Sequence, residues 1–186
     1  MAARMRATRP LVGAGVVILT LALAGCAPSD AVPKPSGAVV ASGDQRGVVG
    51  AAVAVTRGEL ARVLGAHDLV LSDTQTPFRP IEGPAFTTAP RAVFQVILPD
   101  DPTKGFIVVY EFVDTGAAAT AGADQAAYLA SGPGRIQAPD GEIHILRQVA
   151  STVVFYSWIP EGSLDARAPG IQAALESLGV GIQIPG

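Results

Sequence analysis

The chain has 186 residues, 49% of them hydrophobic, with 13 Lys+Arg against 16 Asp+Glu and a single cysteine. An acidic chain with no basic cluster has no field to attract nucleic acid or anionic lipid, and nucleic acid is set aside as a partner. One cysteine cannot close an internal disulfide, so stability must come from an apolar core, which a domain of about 140 residues buries enough surface to supply.

In chain order, the first ten residues carry Arg4, Arg6 and Arg9 and no acid, and an uncharged run of 14 residues follows from Leu11 to Ala24. A secretory apolar region needs about 7–15 residues and a bilayer-spanning helix about 20, so the run has the length of a signal peptide. It ends at Leu23-Ala24-Gly25-Cys26. These four residues resemble the lipobox of bacterial lipoproteins, a resemblance that covers residues 1–26. It implies cleavage between Gly25 and Cys26, a diacylglyceryl thioether on Cys26 Sγ, and a place in the bacterial cell envelope, on the extracytoplasmic side of the cytoplasmic or outer membrane. Two or more acyl chains hold a protein firmly where one does so marginally. Residues 26–45 then read as a lipidated tether, broken by Pro28, Pro33, Pro35, Gly37 and Gly43, too polar and too interrupted to bury a face.

Residues 46–186 read as one domain. Thr56-Arg57-Gly58-Glu59 has capping-box spacing and predicts a helix whose stripe is Leu60, Val63 and Leu64, ending at Gly65. Leu69-Val70-Leu71 reads as a short strand, and residues 72–90, rich in Thr, Pro and Gly, as loop with one edge strand. Arg91–Leu98 and Phe106–Val113 are strand-like runs joined by a Pro/Asp/Gly loop. In the second run Phe106, Val108, Tyr110 and Phe112 alternate with Ile107, Val109, Glu111 and Val113, and two largely apolar faces argue for a central strand. Asp114 or Thr115 is placed to cap an alanine-rich helix over 117–130, with Ala118, Ala121, Tyr128 and Leu129 toward the core. Residues 131–141 read as a Gly/Pro loop, and 142–148 with 152–158 as a second hairpin. Pro169 opens a last helix with stripe Ile171, Leu175 and Leu178, closed by Gly179. The order is a short helix, then strand-strand-helix twice. It predicts an α+β fold, a mostly antiparallel sheet with helices packed on one face. The run Phe106–Phe112, the small-residue helix, the hairpin ending near Trp158 and the closing Leu178-Gly179 resemble small bacterial lipoproteins of unassigned function over about 57–180, which supports the fold rather than an activity.

Chemistry is sparse. His67 falls at a helix end and His144 on a strand between two isoleucines, and neither belongs to a zincin, nucleophile-elbow or Ser-x-x-Lys pattern. Asp100, Asp101 and Thr103 lack the further spaced carboxylates of a calcium loop, and Ser131–Arg135 reads as a turn rather than an anion cradle. Glu111 is the conspicuous residue, because a carboxylate in an apolar strand must be paired. Arg91, Gln95 and Arg147 are its expected partners, forming either a structural ion pair or, with Tyr110, the polar floor of a ligand pocket. No metal and no cofactor is implied. The reading is a non-enzymatic, membrane-anchored binding or interaction module, with an envelope protein or small ligand as partner. The alternatives are an envelope hydrolase using carboxylates such as Glu111, Asp100 and Asp101, and a purely structural envelope lipoprotein.

Overall fold

The computed structural model describes residues 50–186, so the expected signal peptide, Gly25, Cys26 and the tether lie outside the described residues. Six strands form one sheet: β1 (Leu71–Asp73), β2 (Arg91–Val96), β3 (Phe106–Glu111), β4 (Ile143–Val149), β5 (Thr152–Trp158) and β6 (Val180–Ile182), in the order β1-β2-β3-β5-β4-β6. Every neighbouring pair is antiparallel, and the fold is α+β. The central place of β3 follows from its composition, since Ile107 and Val109 point to one face and Val108 and Tyr110 to the other, all fully buried.

The helices cover both faces of this sheet, where the sequence led us to expect one. Helices α1 (Ala51–Gly65) and α5 (Ala168–Glu176) pack their leucines, valines and isoleucines on Phe94, Ile107, Val109, Val154 and Tyr156. On the opposite face, α2 (Pro84–Thr88) and α3 (Thr115–Ala130) cover Val93, Val108, Tyr110, Leu146, Val153 and Phe155. The two apolar faces of β3 had already required two covers, because apolar surface left wet on either side would forfeit its burial free energy.

Local chemistry explains the helix ends. Asp114 caps α3 by accepting from the Ala117 amide at 2.8 Å. Helix α1 begins five residues before the capping-box threonine. Thr56 is buried inside α1, its hydroxyl 2.8 Å from that of Thr152 on β5. Thr152 spends its own proton on the Val149 carbonyl, so Thr56 is the donor between them. Glu59 turns outward to Arg62. The expected turn at 131–135 opens a further short helix, α4 (Gly132–Gln137), and β6 adds a last edge strand beside β4.

Candidate ligand-binding site

Strands β4 and β5 are joined by the two residues Ala150 and Ser151, and at the far end of this hairpin Ile143 stands opposite Trp158 and His144 opposite Ser157. Three segments converge there. The β2–β3 loop re-enters the sheet through Gly105, whose φ of +81° and 2.6 Å Cβ approach to the Val96 carbonyl admit only glycine. It delivers Thr103, Lys104 and Phe106. The segment before α2 brings Phe78, stacked on Phe106 with ring centroids 4.8 Å apart. The segment between β5 and α5 supplies Ile159, Gly162 and Ser163.

Each segment is pinned by buried polar groups. Gln125 of α3 accepts from the Gly83 amide and donates to the Ile81 carbonyl, both at 2.7 Å. Glu82 accepts from Arg91 at 2.5 Å, from the Tyr110 hydroxyl at 2.7 Å and from Arg79 at 2.8 Å. Burial, reinforced by the Glu82 charge, pushes the Tyr110 hydroxyl well above its ordinary pKa, so it stays a donor. Asp101 accepts from the Leu164 amide at 3.2 Å, and Asp165 accepts from the Asp100 amide at 3.2 Å and from Arg167 at 2.6 Å. This exchange locks the β2–β3 loop to the approach of α5. The Arg167 guanidinium holds the Asp165 carboxyl below the usual carboxylate range.

Between these segments lies a cavity of about 250 Å³ walled by Phe78, Phe106, Tyr156 and Trp158, with Glu142 and Lys104 contributing charge. A shallower shelf of about 450 Å³ adjoins it, sharing Phe78, Pro139, Glu142 and Ser157 and reaching Arg79 and Gln137. Glu142 therefore stands where the two meet. Its side chain is 14% exposed, and Oε2 lies 3.8 Å from His144 Nε2, beyond hydrogen-bond range. Among the described residues, neither Glu142 Oε2 nor His144 Nδ1 has a hydrogen-bond partner, although both atoms are buried. Buried polar atoms are nearly always satisfied, and leaving one unmet costs about 1–3 kcal/mol; of these two residues, Glu142 lines the cavity and the shelf and His144 lies behind it. Burial lowers the His144 pKa, with Glu142 opposing it, which favours the neutral imidazole.

The residues singled out in the sequence fall elsewhere. Glu111 does not meet Arg91. The two lie on opposite faces of the sheet, because Arg91 is the cross-strand partner of Tyr110 and Glu111 is one residue further on. Arg91 and Tyr110 serve the buried Glu82. Glu111 instead accepts from the Gly50 amide at the start of α1, a carboxylate at the positive end of a helix. Arg147 donates to the carbonyls of Glu176, Leu178 and Gly179 at the C-terminus of α5, the complementary arrangement. Gln95 holds the β2–β3 loop through the Pro102 and Lys104 carbonyls. None of Glu111, Arg91, Arg147 and Tyr110 is among the residues lining the cavity. His67 is exposed in the turn after α1. Among the described residues, no cluster of three or more His, Cys, Asp or Glu could hold a metal, and no helix is long and apolar enough to cross a membrane.

Comparison with protein-family models, curated proteins and solved structures finds no match. The site is therefore read from its own geometry. Of its charged members, Glu142 carried a usable signal in the sequence: it sits two residues before His144, and positions i and i+2 share a face of a strand. Phe78 and Glu82 carried none, being set in a Pro/Gly-rich segment without periodicity.

Proposed function

We propose that the protein is an extracytoplasmic, lipid-anchored binding protein, and that the cavity between Phe78, Phe106, Tyr156 and Trp158 holds a small amphiphilic ligand. The observation that carries the reading is an aromatic cavity large enough for a small organic molecule, with the Glu142 carboxylate in its lining. A few placed polar groups in a mainly apolar concavity are the usual composition of a ligand site. Two of the three carboxylates of a hydrolytic reading are otherwise engaged: Glu111 at the start of α1, and Asp101 in the loop brace.

The test is native mass spectrometry of the full chain after incubation with envelope extract from its own host. A retained small mass that disappears in the Trp158→Ala variant is the expected result. A chain that emerges bare, or a mass indifferent to Trp158, sinks the reading. The anchor rests on the lipobox alone and is tested separately: Cys26→Ala should move the chain out of the detergent phase or leave it uncleaved. A processed variant that still partitions with detergent refutes lipidation.

A further inference from the structure

We infer that the cavity selects a small organic cation, a primary or secondary ammonium carried on a short aromatic or aliphatic body. This names the ligand class for the binding reading above and rests on it.

The first argument is charge. Among the described residues, the only basic group within 4 Å of the Glu142 carboxylate is His144, whose lowered pKa favours its neutral form. The other cations near the cavity are placed differently. Lys104 is exposed, and the Arg79 guanidinium is hydrogen-bonded to Glu82. Among the described residues no basic group other than His144 comes within 4 Å of this carboxylate at the junction of cavity and shelf, and a sheltered carboxylate draws an opposite charge more strongly than it would in water.

The second argument is hydrogen-bond type. An ionised carboxylate only accepts. A ligand that meets the Glu142 carboxylate must bring donors, and an ammonium brings two or three where an alcohol brings one. The third argument is the wall. The Phe78–Phe106 stack and Trp158 present aromatic surface beside the carboxylate, and a cation above an aromatic face is attracted by the ring quadrupole. Carboxylate and aromatic rings select the same chemistry.

The experiment is calorimetric titration of the full chain at pH 7.5 with three probes of nearly one shape: phenethylamine, 2-phenylethanol and phenylacetate. Phenethylammonium should bind about tenfold or more tightly than the alcohol, in keeping with a charge-assisted hydrogen bond. Phenylacetate should not bind. Glu142→Gln should erase the advantage of the amine over the alcohol, and a thermal unfolding midpoint no lower than that of the parent chain reports that the variant is folded. Equal affinity for amine and alcohol, an amine preference that survives Glu142→Gln, or tighter binding of phenylacetate overturns the cation inference. In those cases binding that Trp158→Ala abolishes still leaves the cavity reading standing. Binding of none of the three overturns both.

Discussion

Two carboxylates show how differently one side-chain type is used within this fold. Glu82 is 2% exposed and receives donors from Arg79, Arg91 and Tyr110, while Glu142 is 14% exposed and has an oxygen that receives none. Removing Glu82 takes a buried carboxylate away from Arg79, Arg91 and Tyr110, and Glu82→Ala should destabilise the protein by about 3–5 kcal/mol. Tyr110→Phe deletes one hydrogen bond to a charged acceptor and should cost about 1.5–3 kcal/mol. Glu142→Gln should be neutral or slightly stabilising, because it removes a charge that the folded protein leaves unmet. Urea unfolding of the three variants ranks them directly. A Glu142→Gln loss as large as that of Glu82→Ala would show Glu142 to be a structural residue.

At the level of elements, the sheet supplies both helix-terminal charges on one of its faces: Glu111 at the start of α1 and Arg147 at the end of α5. Glu111→Gln removes the charge from a helix N-terminus and should lower stability by about 0.3–1 kcal/mol, with phenethylamine affinity unaltered. A change in affinity would reinstate Glu111 as a ligand residue. Much of this layer was legible in the sequence. The alternation in 106–113 put Tyr110 and Glu111 on opposite faces, Asp114 marked the start of α3, and Pro169 and Gly179 bracketed α5. What was not legible was register. A nine-residue connection between β2 and β3 does not determine which residue faces Tyr110, and a shift of one position decides whether Arg91 meets Glu82 or Glu111. The start of α1 was misread because Thr56 and Glu59 have the spacing of a cap, whereas the helix is started by a side chain more than fifty residues away. The cavity was invisible for the same reason, being assembled from segments distant in the chain.

For the whole molecule, His144 and Asp165 act in one direction. Both His144 and Asp165 have folded-state pKa values below their ordinary ones, so in acid the unfolded chain binds more protons than the folded one. Their contribution is complete above the ordinary values and is lost as pH falls, first below about 6.5 through His144, then below about 4 through Asp165. Thermal unfolding followed from pH 8 to 3 should show the first loss vanish in His144→Gln and the second in Asp165→Asn. Protonated His144 also places a cation beside Glu142, with exposed Lys104 the further positive group at the cavity. Phenethylamine should therefore be released as pH falls through the lowered folded-state pKa of His144, and a release profile identical in His144→Gln would contradict the geometry.

The sheet ends on both sides in strands of three residues, β1 and β6. An exposed strand edge is a template on which another chain can polymerise, and its danger grows with the length of the open row of amides. Edges this short offer a neighbouring copy too few positions to begin a fibre. Crowding copies of this domain together should therefore not seed growth along the sheet edges.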